Sequence, residues 1–76
     1  MLPRDEVIKK WDKTHHAALQ TVLSFVDNDF DIISIPQKDH RIMVTAQICR
    51  DFGYSPLRVL RHNGKKAFYQ YKKEKT

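Results

Sequence analysis

The sequence is poor in the residues that mark disulfide-rich, collagen-like and membrane-spanning proteins. Its 76 residues include one cysteine, Cys49, with two glycines and three prolines. A lone cysteine excludes an internal disulfide and a cysteine zinc site, and it is typical of a reducing, intracellular compartment, nuclear or cytoplasmic. No apolar run is longer than about four residues, so the sequence predicts no membrane span and no signal peptide.

The composition predicts one small domain over residues 1–76. Hydrophobic residues make up 41% of the chain and charged residues 30%. This balance is typical of a globular chain rather than a disordered one. The length leaves no room for a second core.

Positive charge is concentrated in the last quarter of the chain. Residues 58–76 hold seven basic residues and one acid, a net charge of +6. Residues 1–57 hold seven basic residues and eight acids, a net charge of −1. Such an uneven distribution favours a polyanionic partner, of which nucleic acid is the commonest. The alternative is that this basic end is solvated and binds nothing. The residues from about 72 are expected to form a basic tail.

The first half predicts two helices separated by a strand. Apolar residues recur at helical spacing from Ile8 to Val26, which predicts one helix over residues 4–26. The β-branched run from Phe30 to Pro36 predicts a short strand. A second apolar stripe predicts a helix over residues 40–52, with Asp39 as its N-cap and Gly53 as its C-cap glycine.

The Asn63–Gly64 dipeptide predicts a hairpin turn between two strands, because both positions tolerate a positive φ. A tight turn pairs His62 with Lys65, Arg61 with Lys66, Leu60 with Ala67, Val59 with Phe68, Arg58 with Tyr69 and Leu57 with Gln70. In this register Leu57, Val59 and Phe68 form a core face, while the opposite face carries Arg58, His62, Lys65, Tyr69 and Tyr71. The expected fold is α+β, with two helices on one face of a three-stranded sheet, in helix–strand–helix–hairpin order.

A helix-turn-helix is the competing interpretation of residues 46–62. Gly53 is then the turn, Ser55 caps a recognition helix, and Val59 is its buried residue. Arg58, Arg61 and His62 would face the major groove of duplex DNA. The two interpretations conflict, because residues 57–62 are strand in one and helix in the other.

No set of residues predicts catalysis, a metal site or a cofactor. Adjacent His15 and His16 point about 100° apart on a helix, which is poor geometry for chelation. Cys49 lies on an apolar helical stripe, as expected for a packed, unreactive thiol. The sequence therefore predicts a binding module rather than an enzyme.

From about Leu23 to Lys73 the chain resembles the R-three-H domain, a module associated with single-stranded DNA and RNA. The matching segments are Phe25, Ile33–Pro36, His40–Arg41, Phe52–Gly53 and Gly64–Tyr69. Of the family's defining Arg-xxx-His motif only Arg41 matches, since the histidine position holds Thr45. The resemblance implies two helices on a three-stranded sheet and nucleic-acid binding, in a domain that is usually part of a longer protein.

These observations predict binding of single-stranded RNA or DNA with weak sequence preference. Basic residues would meet the phosphates and Tyr69 would stack on a base. The expected interface comprises Arg41, Arg58, Arg61, His62, Lys65, Lys66, Tyr69, Lys72 and Lys73, with Lys75 adding attraction. The alternatives are a duplex-DNA regulator of the helix-turn-helix type, and a protein-interaction module that uses the surface of the first helix.

Overall fold

A computed structural model describes residues 2–36 and 42–74. Its elements in chain order are α1 (Arg4–Trp11), α2 (His16–Val26), β1 (Ile32–Pro36), α3 (Ile42–Asp51), β2 (Tyr54–His62) and β3 (Lys65–Lys73). The predicted α+β class and the helix–strand–helix–hairpin order are confirmed. The expected N-cap Asp39 lies outside the described residues. No helix in the described part of the chain is long and apolar enough to span a bilayer.

The prediction of one unbroken helix over residues 4–26 is wrong, because the chain bends between α1 and α2. His15 leaves the helical region with φ −137° and ψ 51°. At the bend, His16 pairs with Asp12 at 2.7 Å, and His15 contacts the hydroxyl of Thr14 at 3.0 Å. The described residues therefore form three helices in place of the expected two.

The helices cover one face of an antiparallel sheet whose strand order is β1-β3-β2. In the central strand β3, Tyr71 pairs with Ile33 and Tyr69 pairs with Ile35. These side chains lie on the helix side, where they pack with the core residues Val7, Trp11, Ala18, Leu19, Val22, Leu23, Ile48, Cys49, Phe52 and Tyr54.

The side chain of Asp51, at the end of α3, ties that helix to α1. Its Oδ2 accepts hydrogen bonds from Trp11 Nε1 and Lys10 Nζ, both at 2.9 Å. Trp11 is only 9% exposed, so it belongs to the core rather than to a free surface of the first helix.

The hairpin turn is confirmed at Asn63 and Gly64, whose φ values are 52° and 77°. The pairs His62–Lys65 and Arg61–Lys66 are also confirmed. Beyond them the predicted register is wrong, because a bulge leaves Ala67 without a partner. The observed pairs are Leu60–Phe68, Val59–Tyr69 and Arg58–Gln70, and a second bulge at Leu57 precedes the pair Pro56–Tyr71.

The helix-turn-helix interpretation is wrong about residues 57–62, which belong to strand β2. Gly53 does follow α3 as predicted, with φ 90° and its amide bonded to the Arg50 carbonyl at 2.9 Å. The chain then enters β2 directly, so Ser55 caps no recognition helix.

Candidate nucleic-acid interface

The sheet face opposite the helices is a candidate interface, here called the open face. Side chains alternate between the two faces of a strand. Because Ile33, Ile35 and Tyr71 are buried beneath the helices, their strand neighbours point the other way. The open face comprises Ile32, Ser34 and Pro36 from β1, Arg58 and Leu60 from β2, and Phe68, Gln70 and Lys72 from β3.

Phe68 is the aromatic residue at the middle of the open face. It lies on the central strand between Pro36 and Leu60, and it is 41% exposed. Leu60 is 38% exposed, so one ring and its aliphatic neighbour form a small apolar platform. Aromatic rings on a sheet surface stack on the bases of single-stranded nucleic acids.

The next row across the sheet is polar. Gln70 lies between Ser34 on β1 and Arg58 on β2. Its Nε2 donates a hydrogen bond to Ser34 Oγ at 2.8 Å. The bond fixes the orientation of the Gln70 amide two residues along the strand from Phe68.

The cations of the hairpin have no acidic partners within the described residues, unlike several cations elsewhere in the chain. The sequence contains no Asp or Glu between Asp51 and Glu74. The observed ion pairs involve Arg4 with Asp27, Lys10 with Asp51, His16 with Asp12 and Lys73 with Asp29. The exposed side chains left available to an anion are Arg58, Arg61, Lys65, Lys66 and Lys72.

Tyr69 does not lie on the face predicted for it. It pairs with Ile35 and Val59 on the helix side of the sheet, and its buried hydroxyl has no hydrogen-bond partner in the described structure. It therefore does not share a surface with Arg58, whereas Phe68 does. Phe68, Gln70 and Ser34 belong to the candidate interface but were not predicted from the sequence.

The alternation of apolar and polar residues along β3 indicates that Phe68 and Tyr69 lie on different faces. Ala67, Tyr69 and Tyr71 alternate with the polar residues Gln70 and Lys72, as expected when the odd-numbered positions face a core. The predicted pairing across the turn obscured this pattern, because it assumed a ladder without bulges.

The other predicted site residues do not all lie on the open face. Arg61, His62, Lys65 and Lys66 are exposed around the hairpin turn, and Lys72 is exposed on the open face. Lys73 Nζ lies 2.5 Å from Asp29 Oδ1, and this bond raises the pKa of Lys73 and lowers that of Asp29. Because β3 continues through Lys73, Lys72 and Lys73 belong to the sheet. Arg41 and Lys75 lie outside the described residues.

The nucleophilic and titratable groups of the core are unsuited to chemistry at neutral pH. Burial raises the pKa of the Cys49 thiol to about 12 and that of Tyr71 to about 12. Both groups stay protonated at neutral pH and are buried in the core. Among residues 2–36 and 42–74, no three His, Cys, Asp or Glu side chains are arranged to hold a metal ion.

Comparison with protein-family models, with curated proteins and with solved structures gives no match to this chain. The resemblance to the R-three-H domain therefore stays a prediction.

Proposed function

We propose that this protein binds single-stranded RNA or DNA on the open face of its sheet. The observation that carries the proposal is the exposed ring of Phe68, at the centre of a sheet face surrounded by cations without acidic partners. A base stacked on an aromatic ring contributes about 1–3 kcal/mol to the binding free energy. Phe68 takes the stacking role that the sequence pattern gave to Tyr69.

The cations divide into two groups around this ring. Arg58 lies opposite Gln70 on the open face and Lys72 lies two residues beyond Gln70, while Arg61 and Lys66 lie between Phe68 and the turn. A single strand crossing Phe68 would thus meet positive charge on both sides. Backbone contacts of this kind give salt-dependent affinity with weak sequence preference.

The two alternatives have less support. A helix-turn-helix needs a recognition helix where the chain forms β2. On the first helix Trp11 is buried, and Arg4 and Lys10 are already paired with carboxylates. These three side chains are therefore not available to a protein partner. The open face combines exposed apolar and cationic groups without such pairing.

The test is fluorescence anisotropy of labelled single-stranded RNA, single-stranded DNA and duplex DNA, each measured at several salt concentrations. The expected result is tighter binding to single strands, with an affinity that falls steeply as salt rises. The double variant Arg58→Ala/Lys65→Ala should bind more weakly without unfolding.

The matched control is Lys9→Ala/Lys13→Ala, which removes the same charge from exposed positions in and just after α1. If both double variants weaken binding equally, net charge rather than the hairpin surface drives association. A preference for duplex, or no binding at low salt, would contradict the proposed function.

A further inference from the structure

Strand β2 lies at an edge of the sheet, and among the described residues one of its sides is unpaired. The strand order β1-β3-β2 pairs it with β3 alone. An edge strand presents backbone N–H and C=O groups to which another extended segment can bond. Pro56 and the bulge at Leu57 interrupt the first part of the strand. Residues 58–62, which are all exposed, are therefore the stretch open to pairing.

An apolar cleft lies between this edge and helix α3. It is lined by Ile42 and Ala46 of α3 and by Leu57 and Val59 of β2, and Tyr69 of β3 also contributes. Ile42 and Val59 are each 40% exposed, so the cleft is accessible from solvent. Its volume is about 260 Å³. A cavity of about 150 Å³ accommodates a benzene ring, so the cleft has room for one large apolar side chain.

The cations along the same edge favour an acidic occupant. Arg61 lies two residues from Val59 and shares its side of the strand, whereas Arg58 points to the open face. Both arginines are exposed, and the sequence contains no Asp or Glu between Asp51 and Glu74. A second copy of β2 would bring the same cations close together, and like charges across a strand pair are destabilising. Carboxylates on an added strand would neutralise them instead.

We infer that residues 58–62 of β2 bind an extended acidic segment of a partner protein, which adds a strand to the sheet and places an apolar side chain in the cleft. Backbone hydrogen bonds to the added strand supply affinity, and the pocket for one side chain supplies specificity. This inference does not depend on the proposed function, although Arg58 is common to the two surfaces.

The experiment uses two short labelled peptides of Thr residues with one central Ile, which carry either Glu or Lys at the same positions. Fluorescence anisotropy at low salt should show binding of the Glu peptide and at least about tenfold weaker binding of the Lys peptide, because opposite charges attract and like charges repel. Hydrogen exchange measured by NMR should slow at the β2 amides that point away from β3, since an added strand protects them.

Two variants test the cleft and the charge separately. Ala46→Leu fills the cleft from the α3 side and should weaken binding of the Glu peptide about tenfold, because the Ile side chain can no longer be buried there. It should leave RNA affinity unchanged. Arg61→Glu should weaken binding of the same peptide by about fivefold or more, since an attraction becomes a repulsion. The matched control is Lys9→Glu, the same charge change at an exposed position of α1.

Several results would overturn the inference. They are no binding of the Glu peptide, equal binding of the two peptides, and binding that leaves exchange at the β2 amides unchanged. A dimer of the chain that protects these amides without peptide would assign the edge to a second copy. If Ala46→Leu fails to fold, equal losses in Arg61→Glu and Lys9→Glu would still exclude the edge as the site. A chain that binds the Glu peptide but no RNA would contradict the proposed function alone.

Discussion

Phe68 and Tyr69 are consecutive residues of the central strand, and their rings lie on opposite faces of the sheet. Phe68 is 41% exposed on the face without helices, whereas Tyr69 packs against the core with its hydroxyl buried. The bulge at Ala67 determines which β2 residues lie beside each ring: Leu60 beside Phe68 and Val59 beside Tyr69. The two rings therefore have different environments, and the proposed function assigns base stacking to Phe68 alone.

Phe68→Ala should weaken binding of single-stranded RNA by about fivefold to a hundredfold, the loss of one stacked base. Its effect on the free energy of unfolding should be small, because the ring is already partly exposed. Anisotropy titrations measure the first effect and urea denaturation the second.

Met43→Ala is the control for Phe68→Ala. Met43 is 77% exposed on α3, on the opposite side of the sheet. Its replacement should leave RNA affinity unchanged. Equal losses in the two variants would show that the open face is not the binding surface.

Tyr69→Phe should keep or raise the free energy of unfolding, by up to about 1 kcal/mol. The hydroxyl it removes is buried without a hydrogen-bond partner in the described structure, and such a group carries a desolvation cost. Thermal and urea unfolding of the purified variant measure the change.

Tyr54→Phe is the matched comparison for Tyr69→Phe. Tyr54 donates its hydroxyl to the Phe30 carbonyl at 2.7 Å, so the same chemical change should cost about 1 kcal/mol of stability. The assignment of the two hydroxyls would be contradicted if Tyr69→Phe proved the more damaging variant.

Asp51 should make the fold sensitive to acid. Burial alone would raise its pKa, but the hydrogen bonds from Trp11 and Lys10 hold the pKa below its ordinary value of 3.8. The unfolded chain therefore binds this proton first as pH falls, and the stabilisation is lost below about pH 4. Asp51→Asn should reduce stability at neutral pH by about 1 kcal/mol and flatten the acid dependence. Urea unfolding monitored by Trp11 fluorescence measures both effects.

Asp27→Asn gives the comparison for an exposed ion pair. Asp27 pairs with Arg4 where both side chains are about half exposed to solvent. Solvent screens such a pair, so the variant should change stability and its acid dependence much less than Asp51→Asn does. The reverse order would contradict the role given to Asp51.

The salt dependence of binding should show which cations of the open face contact phosphates, when each cation is replaced in turn. Each phosphate contact that is lost lowers the slope of log affinity against log salt by about 0.7 for a single strand. Arg58→Gln and Lys72→Gln should each show this decrease. Lys73→Gln should show a smaller decrease in this slope, because Lys73 is already paired with Asp29. Identical slopes for all three variants would argue against specific phosphate contacts.

Local signals in the sequence predicted most of the fold. The Asn63–Gly64 turn, the strand ending at Pro36 and the glycine after α3 are fixed by neighbouring residues, and the structure confirms them. The bend at His15 and the bulge at Ala67 depend on how distant segments pack, so the apolar spacing did not show them. Side chains alternate along a strand, so the one unpredicted bulge reversed the faces that had been predicted for Phe68 and Tyr69. The basic character of the hairpin did not depend on this register.

An NMR titration of the ¹⁵N-labelled protein with an unlabelled single-stranded RNA locates the binding surface residue by residue. The largest amide shifts should occur at open-face residues, including Ser34, Arg58, Phe68 and Gln70, with small changes in α1 and α2. Shifts concentrated on the helices, or none at low salt, would contradict the proposed function.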